Sequence, residues 1–139
     1  MKLRQLMRRV AQRYDAEVGK TGLKGTQYSL LAHVVKLGPV RPGDLARAMK
    51  IDASTLTRNL RPLIDAGWVM LDAGADGRSR LVKITPSGRD KRQDAQRRWR
   101  VAQESINRTL GVERVLALHA LIDESMDLLS PMSDGEDDE

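Results

Sequence analysis

A cluster of side chains that can hydrogen-bond phosphates or nucleic-acid base edges lies between residues 54 and 61. Hydroxyl and amide groups bond phosphate oxygens or base edges, and an Arg guanidinium forks onto guanine O6 and N7. The polar face with these groups comprises Ser54, Thr55, Thr57, Arg58, Asn59 and Arg61. The face by itself fits a solvated amphipathic helix equally well, so its interpretation depends on the segments around it.

The residues around this cluster predict one helix with defined ends. Asp52 stands where an N-cap is expected, because its carboxylate can accept from backbone N–H groups two or three residues later. Gly67 stands where a left-handed C-cap residue is expected. Pro62 lacks the N–H that would bond the Arg58 carbonyl, so we expect a local kink or a loosened last turn. A single apolar stripe at helical spacing faces a core and consists of Leu56, Leu60, Leu63 and Ile64.

Two short β-prone runs, 68–71 and 81–84, follow this helix and predict a hairpin. The segment between them contains two glycines, which suit a hairpin tip. Arg78 and Arg80 stand two apart and therefore project the same way from an extended strand. An Arg on a hairpin can enter a narrow minor groove, and Asp76 is placed to orient one of the two. An ordinary solvated hairpin is the alternative.

A second helix is predicted immediately upstream, from Pro42 to Met49, because Pro suits a first helical turn. Residues 50–52 then make a tight turn into the polar helix. Two helices joined by a short turn form a helix-turn-helix, whose second helix enters the major groove of DNA. With the hairpin behind it, the segment predicts a winged helix-turn-helix.

Five segments in this order resemble the MarR family of bacterial transcription regulators: TQYSLLAHV at 26–34, DLARAM at 44–49, STLTRNLRPLIDAGWV at 54–69, DGRSR at 76–80 and ITPSG at 84–88. The resemblance implies a mainly α fold with a small β-wing (α+β), a winged helix-turn-helix with a helical dimerisation region formed by the N- and C-terminal helices. Arg41 departs from the Thr or Ser that often caps the helix at Pro42, and Ser79 from the acidic residue between the wing arginines. Both departures are expected to alter site preference.

The resemblance also implies domain limits and DNA contacts. We expect a single domain over 1–129, with a DNA-binding segment at 26–88, dimerisation helices at 1–18 and 89–129, and an acidic disordered tail at 130–139. A homodimeric repressor on a palindromic double-stranded site follows, with half-sites about 10 bp or a multiple apart. The expected DNA-binding residues are Ser54, Thr55, Thr57, Arg58, Arg61, Arg78 and Arg80.

A small-molecule effector, often an aromatic acid, is a further implication of the resemblance. It would bind where the dimerisation region meets the DNA-binding segment. There it would change the distance between the two recognition helices, which are the second helices of the helix-turn-helix in each subunit. Each candidate side chain fits ordinary packing as well. The candidates are Tyr28, His33, Met70 and Trp99.

The flanking segments predict three more helices. An apolar stripe marks an N-terminal helix (Leu3, Leu6, Met7, Val10 and Tyr14). A long basic helix is expected from Pro86 to about Thr109, and Gly111 separates it from a closing apolar helix over 112–129. The terminal helices are too apolar to be left exposed, so they pack on their own core or on a second subunit. The resemblance favours the dimer.

Charge favours a polyanionic partner. The chain has a net charge of +5, but five of its 19 acidic residues lie at 134–139 without a base. The remaining 14 acids against 24 bases leave +10 on residues 1–133, which attracts DNA in a salt-dependent way. The tail fits a solubilising end better than a competitor for the basic surface.

Several function classes are disfavoured by composition. There is no Phe and only four other aromatic residues, which argues against modules that stack single-stranded bases. The absence of Cys removes thiolate zinc sites and cysteine-based peroxide sensing. His33 and His119 lack metal-ligand spacing, and no catalytic or phosphate-loop motif is present, so no metal, cofactor or enzyme activity is expected.

Without a membrane-spanning run or signal peptide, we expect a cytoplasmic protein. A protein-interaction module that binds another regulator is the alternative function.

Overall fold

The computed structural model describes residues 1–74, 77 and 80–131, and over these it consists of six helices and one two-stranded antiparallel sheet. The elements in chain order are α1 (Lys2–Gly19), α2 (Gly25–Leu37), α3 (Pro42–Met49), α4 (Ala53–Asp65), β1 (Val69–Ala73), β2 (Arg80–Ile84), α5 (Pro86–Leu110) and α6 (Val112–Leu128). The predicted mainly α fold with a small β-hairpin is confirmed. The acidic residues 134–139 lie outside the described residues.

The chain divides into two compact units, Met1–Gln103 and Glu104–Glu139, with the boundary inside α5. The first unit contains α1 to α4, the sheet and most of α5. The second contains the end of α5 and all of α6. The domain limits expected from the sequence stay a prediction.

The first unit is built around an aliphatic core. Its largest fully buried side chains come from α1 and the loop after it, α2, α3, α4 and the two strands, namely Val18, Leu23, Leu30, Leu31, Val34, Leu45, Leu56, Leu63, Val69 and Val82. Tyr28, Trp68 and Trp99 are only partly buried and pack against the edge of this core. A chain without Phe therefore fills its centre with Leu and Val and keeps its aromatic rings at the periphery.

Helix α4 has the two ends that the sequence predicts. Asp52 caps its N-terminus, where its Oδ1 accepts from the Thr55 N–H at 2.7 Å. At the other end Gly67 has φ +79°, and its N–H donates to the Ile64 carbonyl while the Trp68 N–H donates to the Leu63 carbonyl, both at 3.0 Å. This pair of bonds is a Schellman motif. The helix continues past Pro62 to Asp65, and the loosening expected there stays a prediction.

The hairpin pairs Val69 with Ile84 and Ala73 with Arg80. Val40, which precedes α3, bridges to Val82 by two backbone bonds of 3.1 and 2.8 Å. The sequence did not suggest this bridge, and it fixes the hairpin to the start of α3. The expected strands were one residue out of place at their starts, because Trp68 belongs to the Schellman turn and Arg80 is already paired.

The second unit exposes most of its apolar side chains. No residue of α6 is buried, and its most exposed apolar residues are Val112 at 72%, Leu116 at 64%, Leu121 at 61%, Met126 at 68% and Leu128 at 78%. Gly111, with φ +84°, separates α6 from α5 as predicted. Across the described part of the chain, no helix has the length and apolar character needed to cross a membrane.

Candidate nucleic-acid interface

Helices α3 and α4 meet through a tight turn that directs the polar face of α4 outwards. Lys50 ends α3 with φ 57°, and the Ile51 N–H donates to the Ala46 carbonyl at 3.0 Å. On α4 the apolar stripe of Leu56, Leu60 and Leu63 is buried. The opposite face is therefore left to solvent: Ser54, Thr57, Arg58 and Arg61 are exposed, and Thr55 and Asn59 are half-buried.

The hydroxyl groups of this face are already oriented by local bonds. The Ser54 hydroxyl donates to Asp52 Oδ1 at 2.8 Å, and the Thr57 hydroxyl donates to the Ala53 carbonyl at 2.9 Å. The backbone N–H of Thr55, with the Ser54 hydroxyl, lowers the pKa of the Asp52 carboxyl to about 2. Since their protons are used, Ser54 and Thr57 offer a ligand oxygen lone pairs, which suit a base amino group better than a phosphate.

Most donors of the two α4 arginines have no partner among the described residues. Arg58 Nη2 lies 3.4 Å from the Thr55 hydroxyl, a long bond. Arg61 makes no side-chain hydrogen bond or ion pair within the described residues. The two stand three residues apart and so neighbour each other on the helix surface. Together they give the face two cations able to fork onto guanine or phosphate.

The hairpin contributes one described cation to the predicted set. Arg80 is exposed at the start of β2, whereas Arg78, Asp76 and Ser79 lie outside the described residues. An ion pair that the sequence analysis missed joins the two strands, with Lys83 Nζ 2.7 Å from Asp72 Oδ2. The hydrogen bond from Lys83 lowers the pKa of the Asp72 carboxyl. This pair adds a side-chain contact to the backbone pairing of the two strands.

Three of the four expected effector residues line one cleft of about 420 Å³ between α1, α2 and α5: Tyr28, His33 and Trp99. Met70 does not join them. It lies on β1 with 44% of its surface exposed, because its neighbour Val69 takes the buried side of the strand and successive side chains alternate.

The same cleft includes Tyr14 and Arg100, which the sequence analysis did not propose as ligand contacts. The rings of Tyr14 and Trp99 stack with centroids 5.2 Å apart, and burial raises the pKa of the Tyr14 hydroxyl. His33 Nδ1 lies 2.8 Å from the Ser29 carbonyl, which can only accept, so Nδ1 is the donor. The cleft thus combines aromatic walls with the Arg100 guanidinium and the Asp15 carboxylate, and it suits a flat polar molecule.

Comparison with known proteins identifies the family. The model of the MarR family matches residues 21–79. The crystal structure of the transcriptional regulator MosR from M. tuberculosis in complex with DNA is 30% identical, with a TM-score of 0.66, over 94% of this chain and 96% of that one. The chain belongs to the MarR family. The predicted resemblance is confirmed, as is the winged helix-turn-helix fold.

The curated relatives include two bacterial proteins. The HTH-type transcriptional regulator YwoH of Bacillus subtilis is 28% identical over 89 residues, 64% of this chain and 65% of that protein. The multiple antibiotic resistance protein MarR of Salmonella typhimurium is 34% identical over 67 residues, 48% of this chain and 46% of that protein. The chain therefore spans between about half and two thirds of the curated relatives it matches. These MarR-family relatives are regulators and not enzymes.

Proposed function

We propose that this MarR-family chain is a sequence-specific transcription regulator that binds double-stranded DNA, acts as a homodimeric repressor at a palindromic promoter site and is released by a small-molecule effector. The observation that carries the proposal is the outward face of α4, where Arg58 and Arg61 are exposed on a helix whose other side is buried. The DNA-bound state of MosR supports DNA as the partner. A regulator with this function acts in the cytoplasm.

The proposed DNA contacts divide between two elements. In the major groove, Arg58 and Arg61 contact guanines or phosphates. Beside them, Ser54 and Thr57 accept from base amino groups, and Thr55 bonds base edges or phosphates. On the hairpin, Arg80 and Arg78 contact the backbone or the minor groove. The bridge between Val40 and Val82 supports simultaneous contact, because it ties the hairpin to the helix-turn-helix.

The exposed apolar surface of α6 supports a dimer. Leaving side chains such as Leu116, Leu121 and Met126 in water forgoes their burial free energy, and exposed patches of this kind mark protein interfaces. Leu3 and Met7 of α1 are exposed as well, at 56% and 63%. Residues 1–14 contain five bases and no acid, whereas 112–128 contain four acids and one base. Opposite charges favour contact between α1 of one copy and α6 of another.

The cleft lined by Tyr28, His33 and Trp99 is the proposed effector site. It lies between α1, α5 and α2, where a ligand contacts both the expected dimerisation helices and the DNA-binding segment. A ligand acts on DNA binding only through different affinities for two arrangements of the protein. The DNA is released when the bound ligand favours a dimer in which the distance between the two α4 helices no longer equals the distance between the half-sites.

Fluorescence anisotropy with the promoter fragment upstream of the protein's own gene, and a random duplex as reference, tests DNA binding. Arg58→Ala is expected to weaken promoter binding by about 1–3 kcal/mol if Arg58 contacts a base. The matched control is Arg97→Ala, an exposed α5 residue paired with Asp94 at 3.3 Å. An equal loss on both duplexes shows that Arg58 contacts phosphate only. If the wild-type protein binds neither duplex in low salt, the proposal is wrong and a protein-interaction module is favoured.

Light scattering after size exclusion tests the dimer. Leu121→Glu is expected to convert dimers to monomers, because it places a charge in the apolar face of α6 without removing a buried contact. His119→Glu, at an exposed position of the same helix, adds the same charge as the control. A mass that is unchanged by Leu121→Glu, or a wild-type protein that is already monomeric, contradicts the dimer proposal.

A further inference from the structure

Lys91 makes two contacts that join different parts of the first unit. Its Nζ donates a hydrogen bond to the Thr21 carbonyl, just beyond the end of α1, and lies 5.1 Å from the centroid of the Trp68 ring. The second distance is within the range of a cation–π interaction. The sequence predicts Lys91 within the long basic helix, and the structure places it half-buried between two neighbours.

The Thr21 side of this contact is rigid. Thr21 is 9% exposed, and both its N–H and its hydroxyl donate to the Val18 carbonyl, at 3.0 and 2.6 Å. The carbonyl that accepts from Lys91 is therefore held at a fixed place. It also lies at the C-terminal end of α1, where the helix dipole favours a cation.

The Trp68 side leads directly to the recognition helix. The Trp68 N–H closes the Schellman motif of α4 through the Leu63 carbonyl, and Leu63 is fully buried. The Trp68 carbonyl accepts from the Thr85 N–H at 3.1 Å. Trp68 is thus fixed to the last turn of α4 and immediately precedes β1. A displacement of its ring therefore moves both α4 and the hairpin.

Lys91 shares its helix face with two other residues that contact α1. Arg98 Nη1 lies 3.8 Å from Glu17 Oε2, and Trp99 stacks on Tyr14. Positions 91, 98 and 99 follow helical spacing, which places them along one side of α5. Of these three, Lys91 is the residue that also contacts the junction between α4 and β1.

We propose that Lys91 is a positioning residue for DNA recognition: it joins the end of α1 to Trp68 and thereby fixes the orientation of α4 and the hairpin relative to α1 and α5. The inference rests on the proposed DNA binding. It adds to the residues proposed for DNA recognition one that does not contact DNA itself. Positioning affects sequence-specific contacts more than general attraction to phosphates, because base contacts require accurate geometry.

The test compares Lys91→Met with Arg97→Met, which removes the same charge from an exposed site on the same helix. Lys91→Met is expected to weaken promoter binding about five- to tenfold. Its effect on a random duplex should equal the small effect of Arg97→Met, which reports lost charge alone. Lys91→Arg retains a cation and donors and is expected to restore most of the promoter preference.

A second measurement follows the junction without DNA. In a Trp99→Phe background Trp68 is the sole tryptophan, and Lys91→Met should raise the acrylamide quenching of its fluorescence about twofold over both the parent and Arg97→Met. The Gly67 and Trp68 amides, which bond to α4, should also exchange hydrogen faster. Circular dichroism checks folding, and Lys91→Gln replaces Lys91→Met if the latter is unfolded.

The proposal is overturned if Lys91→Met and Arg97→Met weaken promoter binding equally, or if Lys91→Met weakens promoter and random duplex alike. It is also overturned if Trp68 becomes accessible while the promoter preference is unchanged, since Lys91 then only packs. If the wild-type protein shows no preference for the promoter, the proposed function fails separately. In that case fluorescence quenching and amide exchange alone test the role of Lys91, and unchanged values for Lys91→Met exclude a positioning role.

Discussion

Asp52 shows how one side chain prepares both the fold and the polar face of α4. Its carboxylate caps the helix through the Thr55 N–H and holds the Ser54 hydroxyl. The same two bonds lower its pKa from an ordinary 3.8 to about 2. The folded state therefore favours the ionised form, so the stabilisation is complete above about pH 4 and is lost as the pH falls towards 2.

Asp52→Asn should remove this pH dependence while keeping a cap, because Asn caps helices about as well as Asp. We expect the difference between wild-type and variant urea midpoints to shrink as the pH is lowered from about 5 to about 2. Asp65→Asn, at the other end of α4, removes a carboxylate without touching the cap and is the control. A wild-type advantage over Asp52→Asn that stays constant down to pH 2 contradicts the assignment.

At the scale of elements, the tightest junction joins the start of α5 to the end of α4. Gly88 is buried, and a Cβ there would overlap the Trp68 carbonyl oxygen and approach Ile84 Cδ1 to 2.7 Å. Thr85 and Ser87 hydroxyls both donate to the Gly67 carbonyl, at 2.6 and 3.0 Å. The backbone of the first turn of α5 is therefore packed directly on the loop that follows the recognition helix.

Gly88→Ala is expected to destabilise the protein by about 1–3 kcal/mol, because backbone atoms must move to admit the methyl group. Gly43→Ala in α3 is the matched control, since its Cβ would meet nothing within 4 Å. Ala is a better helix residue than Gly, so the control should be neutral or stabilising by about 0.5–1 kcal/mol. Thermal and urea unfolding measure both, and equal stability of the two variants contradicts the close approach.

An element can be predicted from the sequence when the residues that determine it lie close to it along the chain. The ends of α4 were predictable because Asp52, the apolar stripe and Gly67 act within a few residues of the helix. The position of Met70 away from the cleft was not predictable, because the buried side of β1 depends on the core that Val69 meets. The contact of Lys91 with Thr21 spans 70 residues, and no local pattern encodes such a pairing.

Charge is divided unevenly along the whole molecule. Residues 1–103 contain 22 bases and 9 acids, a net charge of +13, and residues 104–139 contain 2 bases and 10 acids, a net charge of −8. Half of those ten acids belong to the last six residues. The first unit is thus more basic than the chain's total of +5 suggests, and its proposed binding to DNA is expected to weaken steeply as salt is raised.

Removal of residues 132–139 should tighten binding to random duplex several-fold at about 0.02 M salt and change it little at about 0.15 M, where the Debye length is roughly 8 Å. The ratio of promoter to random affinity should stay the same, as expected for a solubilising end. A variant with the five tail acids replaced by Asn or Gln separates charge from length. Strong tightening that persists at 0.15 M salt would instead identify the tail as a competitor for the DNA-binding surface.

The distribution of aromatic rings gives this protein an unusual optical property. The chain has two Trp, two Tyr and no Phe, and three of those four rings line the cleft between α1, α2 and α5. Near-ultraviolet circular dichroism arises from aromatic rings held in asymmetric surroundings, so three of the four rings that contribute to the spectrum report on that cleft. A molecule that enters the cleft and separates Tyr14 from Trp99 is expected to change the spectrum, so ligands can be sought with the unlabelled protein.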